Sequence, residues 1–169
     1  MKSVHTILSS LLAGMMMFSL AACVNQHPEE TNNPVNTESL RLVATSPAVA
    51  QICNRLNLDL VGVCQTSGVL PERYKNLTKV GMAMNPDLEI LKSLNPDYVL
   101  SPNSLQSDLQ PKYASISVNA LFLNLKSVEG MYASIEGLGK KFDREKEAAA
   151  MLAEFDSFMQ EYKDKNVGK

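Results

Sequence analysis

Between residues 40 and 124 short apolar runs alternate with stretches of helical spacing, and this alternation constrains the fold more than any other feature of the chain. The runs at 40–44 (Leu-Arg-Leu-Val-Ala), 60–64 (Leu-Val-Gly-Val-Cys), 97–101 (Asp-Tyr-Val-Leu-Ser) and 120–124 (Ala-Leu-Phe-Leu-Asn) read as strands. Residues 48–56, 87–94 and a short piece near 108–114 read as helices, and 65–84 as irregular chain. Strand and helix in turn are the mark of an α/β layer with a mostly parallel sheet, because parallel neighbours need a crossover long enough to hold a helix. Ser46-Pro47 and Asn85-Pro86 each offer a capping side chain before a proline, and both are read as helix starts, with proline where its missing N–H costs nothing.

Residues 127–142 read as one further helix and 144–163 as another. In the second, Ala148, Met151, Leu152, Phe155, Phe158, Met159 and Tyr162 recur at three- and four-residue spacing, so one face of a long helix is expected to be apolar. Some twenty helical residues span roughly 30 Å, about the width of a small domain.

The N-terminus has a different character. Lys2 is the only charged residue before Cys23, and the run 7–22 is apolar or small, the layout of a secretory signal. Ser9, Ser10, Gly14 and Ser19 dilute that run below the ~20 predominantly apolar residues of a permanent span. Leu20-Ala21-Ala22-Cys23 resembles the bacterial lipobox, which implies cleavage after residue 22, lipid on Cys23, and a protein held in the lipid bilayer at the outer face of the cytoplasmic membrane. Residues 23–39 hold almost no large apolar side chains and two prolines, and read as a solvated tether.

The 147 residues beyond residue 22 suit one domain, and they hold 15 of the 16 basic and all 18 acidic side chains, a formal charge of −3 with no basic excess for nucleic acid. Cys53 and Cys64 are eleven residues apart, and the sequence leaves two readings open: a disulfide, which an exported chain could form, or two buried thiols packed as small hydrophobes. The two histidines, His5 and His27, lie in the signal and the tether, so the folded part contains none. Without a Ser/His/Asp set, a phosphate loop or a histidine base, an enzyme is not expected.

Three stretches carry a resemblance: 41–50 (Arg-Leu-Val-Ala-Thr-Ser-Pro-Ala-Val-Ala), 70–75 (Leu-Pro-Glu-Arg-Tyr-Lys) and 80–100, which opens Val-Gly-Met-Ala-Met-Asn-Pro-Asp. Together they resemble the substrate-binding lipoproteins of iron-complex ABC importers, and within these the haem-binding members of Gram-positive haem uptake systems. The resemblance runs from about residue 41 to 165. It implies an α/β fold of two lobes joined by a long helix, of which this sequence is similar to the N-terminal lobe (40–142) and the connector helix (143–165). On this resemblance the C-terminal lobe is expected to be absent.

The resemblance also implies roles. Met84 matches the methionine that ligates haem iron, a soft neutral thioether suited to low-spin iron, and Met82 is its rival for that place. Thr66 and Ser67 stand where family members contact the haem propionates. The helix start at Ser46-Pro47 adds the backbone N–H groups of Ala48 and Val49, backed by the helix dipole, as a carboxylate site. Ordinary capping and turn chemistry is the plain alternative for these four residues. Glu89 matches an acidic residue that docks into an arginine pocket of the permease, against the plain alternative of a solvated glutamate.

The expected activity is therefore a carrier: it takes haem b as transported ligand, from solution or from haem-donor surface proteins, and hands it to ABC permease subunits. The alternatives are a siderophore or cobalamin cargo, or a truncated surface interaction protein that binds no small molecule.

Overall fold

A computed structural model of the chain describes residues 40–166. In chain order its elements are β1 (Leu42–Ala44), α1 (Pro47–Arg55), β2 (Gly62–Val63), β3 (Thr78–Lys79), β4 (Gly81–Met82), β5 (Asn85–Pro86), α2 (Leu88–Leu94), β6 (Tyr98–Pro102), α3 (Gln106–Ser115), β7 (Ala120–Leu123), α4 (Val128–Lys141) and α5 (Glu145–Asn166). Five strands form one sheet in the order β3-β2-β1-β6-β7, and every neighbouring pair is parallel. The chain is an α/β protein that closes on a long helix.

The apolar content of β1 follows from its place at the centre of the sheet, with helices on both faces. Successive side chains point to opposite faces. Leu42 and Ala44 therefore join one core, with Leu100 and Leu123 of the neighbouring strands and with α1, α4 and α5. Val43 joins the other, with Val99 and with Leu91 of α2 and Leu109 and Tyr113 of α3. A charge at any of these three positions would have no route to water.

Two sequence expectations need correction. The segment read as irregular, 65–84, contains a 3-10 turn at Glu72–Tyr74, strand β3 and strand β4. β3 is only two residues at the sheet edge, where one exposed and one half-buried side chain leave no apolar run to recognise. Asn85-Pro86 is not a helix start either. It is β5, the return strand of a small antiparallel hairpin in which Met82 faces Asn85 and Gly81 faces Pro86. Helix α2 begins later, because Asp87 Oδ1 accepts the N–H groups of both Glu89 and Ile90 at 3.0 Å and so takes the capping place.

Ser46 behaves as its sequence suggests, accepting the Val49 N–H on its Oγ ahead of Pro47. α4 and α5 pack antiparallel through a tight turn, and a Cβ added at Gly139 would come within 2.8 Å of the Ala148 Cβ. Only glycine allows the two helices to approach that closely. α5 is 22 residues, about 33 Å long. Its apolar face divides in two: Ala148, Met151 and Leu152 are buried and Phe155 half-buried, whereas Phe158 and Tyr162 are exposed.

Candidate functional site

In a parallel sheet a ligand crevice opens at the carboxyl ends of two adjacent strands whose connections leave in opposite directions. Here those strands are β1 and β6, since β1 leads to β2 on one side and β6 to β7 on the other. Thr45, Ser46 and Ser101 lie at this point, all buried. Thr45 Oγ1 donates to the Leu100 carbonyl at 3.2 Å and stands 2.8 Å from Ser101 Oγ, which is 3.1 Å from the Tyr113 hydroxyl. Burial pushes the Tyr113 phenol above its ordinary range, against the pull of its Ser101 and Thr45 partners; with the Thr45 proton given to Leu100, Ser101 donates to Thr45 and Tyr113 to Ser101.

Above this base the loops after β1, β2 and β3 are joined to one another. Thr66 Oγ1 accepts the Gly68 N–H at 2.9 Å, a local turn, and a Cβ at Gly68 would stand 3.8 Å from Pro47 Cγ at the start of α1. Gln51 Nε2 of α1 donates to the Val69 carbonyl at 3.3 Å. On the other side of the loop the Gln65 N–H donates to the Gly81 carbonyl at 2.7 Å, which ties it to the β4–β5 hairpin. Gly81 has a φ of +85°, and a Cβ there would meet the Asp87 nitrogen at 2.9 Å, so the hairpin can fold back only with glycine at this place. The far strand is held from α3, where Lys112 Nζ reaches Asn85 Oδ1 at 3.4 Å.

Met84 occupies the second position of the two-residue turn between β4 and β5 and is 72% exposed. It therefore stands at a hairpin tip, not directly before a helix as the Asn85-Pro86 pattern suggests. Thr66 and Ser67 sit in the loop bonded to that hairpin, and Ala48 and Val49 in the first turn of α1, so the folding brings these residues to one edge of the sheet. Within that group Val49 is buried and its N–H already bonds Ser46 Oγ at 3.3 Å, while Ala48 is exposed. Glu89 is exposed in the first turn of α2, immediately beyond the hairpin.

One residue at this edge, Val69, escapes a sequence reading of the site, and Met82 enters that reading only as the rival of Met84. Val69 is 80% exposed and Met82 is 62% exposed, and with Met84 they present large apolar side chains on loops that share the Gln65–Gly81 bond. Their exposure is the signal, and it exists only after folding. The edge thus places exposed apolar side chains beside the Thr66 hydroxyl and the first turn of α1. Among the described residues no group of three or more His, Cys, Asp or Glu side chains could hold a bare metal ion.

Other marked residues lie elsewhere. Tyr74, in the 70–75 stretch, donates its hydroxyl to the Leu58 carbonyl, and Arg73 pairs with Asp59 and bonds Asn57 Oδ1 at 2.9 Å. These partners belong to the connection entering β2, at the amino end of the sheet and opposite the Met84 edge. Cys53 and Cys64 are free, buried thiols; burial pushes Cys53 up to about 12 and raises Cys64 as well. The residues read from sequence as signal and tether, Cys23 and His27 among them, lie outside the described residues. Among the described residues no helix is long and apolar enough to cross a membrane.

The periplasmic binding protein family matches residues 42–169. The chain is 30% identical over 146 residues to the high-affinity heme uptake system protein IsdE of Staphylococcus aureus strain Newman, covering 86% of this chain and 49% of that protein. Among solved structures it is similar to an ABC transporter substrate-binding protein from Listeria monocytogenes EGD-e (37% identity, TM-score 0.73, 77% of this chain and 50% of that one). It is likewise similar to S. aureus IsdE complexed with heme, at 31% identity and a TM-score of 0.72, again over 77% and 50% of the two chains. The chain spans about half the length of the curated relatives it matches.

Proposed function

The chain belongs to the periplasmic binding protein family, and on that premise we propose that it binds haem at the carboxyl edge of its sheet for delivery to an ABC permease. The observation that carries this reading is Met84, a thioether 72% exposed at the tip of a braced hairpin beside the ligand crevice. Single exposed apolar side chains are common, but with Val69 and Met82 it makes a group of exposed large hydrophobes at one edge, and such groups mark interaction sites. A thioether is also a soft neutral donor that favours low-spin haem iron. The likeness to a heme uptake protein and to a heme-bound structure supports the same cargo.

In this reading the haem plane lies against Met84 and Val69, and its propionates approach the α1 N-terminus and the Thr66–Ser67 turn. Of the two backbone donors on α1, Ala48 is the one placed for a propionate oxygen. Val49 enters only if the ligand displaces the 3.3 Å bond that its N–H donates to Ser46 Oγ. The Thr66 hydroxyl accepts from Gly68 and keeps its own proton for a carboxylate. Glu89, exposed on the helix beyond the hairpin, is the contact offered to the permease, and lipid on Cys23 tethers the carrier to the bilayer outside the cell.

Thermal denaturation tests the cargo. A ligand that binds only the native state raises the melting temperature, by an amount set by about RT ln(1 + [L]/Kd). Haemin should raise it, whereas ferrichrome and cobalamin should not. A shift with ferrichrome or cobalamin alone would replace haem with that cargo, and no shift with any of the three would leave a surface interaction protein.

A further inference from the structure

Met82 is 62% exposed two residues before Met84, on the same short hairpin, and packing does not explain it: its cross-strand partner is the exposed Asn85, while the buried side of the hairpin is Pro86 opposite Gly81. We infer that Met82 is a second thioether competent to ligate the haem iron, so that the hairpin presents two interchangeable axial ligands from one side. The inference rests on the haem reading above and extends it to a residue whose only sequence standing was as a rival to Met84.

The geometry favours exchange between the two over joint ligation. Two residues apart, the Cα atoms are separated by no more than about 7 Å. Each methionine has three rotatable side-chain bonds with which to reach a common point between them. One face of a haem iron accepts one axial ligand, so the thioethers share the site by turns. The backbone that carries them is braced by the Gln65–Gly81 bond, the positive φ of Gly81 and the Lys112–Asn85 contact, so a change of ligand needs side-chain rotation and no refolding. The unligated methionine then lies along the porphyrin as apolar cover, which accounts for a second large exposed hydrophobe at this edge.

The test uses protein labelled with 13C at the methionine methyl groups and loaded with haemin, in wild type and in Met82→Leu, Met84→Leu and the double variant. Iron and ring current move the methyl resonance of a ligating methionine far from its usual position. Leucine keeps the apolar volume at both exposed positions, so folding should be unaffected and is checked by the melting temperature without haemin. A displaced methyl signal in each single variant, lost only in the double one, is the expected result, with each single change weakening haemin binding only a few-fold. If Met84→Leu alone abolishes the signal, Met84 is the sole ligand and the inference is overturned. If wild type binds haemin with no displaced methyl, neither methionine ligates, and the inference falls while haem binding stands. If haemin does not bind at all, the cargo assignment falls with it.

Discussion

Thr45 Oγ1 and Ser101 Oγ stand 2.8 Å apart in the buried seam between β1 and β6, and Tyr113 closes the chain of hydroxyls from α3. These residues tie the two central strands and one covering helix together directly beneath the crevice. All three are essentially excluded from solvent, so Tyr113 depends on Ser101 for its partner, and Thr45 on Ser101 and the Leu100 carbonyl.

Ser101→Val should therefore strip a partner from both Thr45 and Tyr113. A buried polar group left unpaired costs about 1–3 kcal/mol, and Tyr113→Phe, which removes one donor, costs about 1 kcal/mol. Urea unfolding should show lower midpoints in that order, with unchanged slopes.

Gly81→Ala should weaken the site as well as the fold. The alanine Cβ would stand 2.9 Å from the Asp87 nitrogen at a φ of +85°, so either the hairpin or the α2 cap must shift. A stability loss of more than about 1 kcal/mol is expected, together with weaker haemin binding because Met82 and Met84 move with the backbone. Loss of stability with haemin affinity intact would separate the hairpin from the ligand.

Tyr74→Phe and Arg73→Ala should do the reverse. Their partners, Leu58, Asn57 and Asp59, lie at the amino end of the sheet. Tyr74→Phe removes a bond from a side chain 1% exposed and should cost about 1 kcal/mol. Arg73 is partly exposed, so its ion pair contributes less. Haemin affinity, measured by Soret titration, should stay at the wild-type value in both.

Cys53 and Cys64 should resist a thiol reagent until the protein unfolds, with modified peptides identified by mass spectrometry. Burial raises Cys53 from the ordinary 9.0 to about 12, so the fold favours the neutral thiol. That contribution is complete below the unfolded value and declines as pH rises from about 9 toward 12. Cys53→Ala should flatten the alkaline loss of stability in this window.

Glu89→Gln should leave haemin affinity and melting temperature unchanged, because the side chain is exposed and its own N–H is held by Asp87. Haem uptake by cells carrying the variant should fall several-fold if Glu89 meets the permease. Unchanged uptake would return it to an ordinary surface role.

The α/β class, the parallel strands at 42–44, 62–63, 98–102 and 120–123, the Ser46 cap and the two closing helices were legible in the amino-acid order. Each follows from periodicity or from a cap written within a few residues. Tertiary structure decided what depends on partners far along the chain. β3 exists because β2 offers it hydrogen bonds, and Asn85-Pro86 became a strand because Gly81 folds the chain back and Asp87 captures the helix cap. The same folding sent the 70–75 stretch to the amino end of the sheet and left Met82, Met84 and Val69 exposed together at the other. Local sequence states which side chains are apolar; only packing determines which of them remain uncovered, and those are the ones free to meet a ligand.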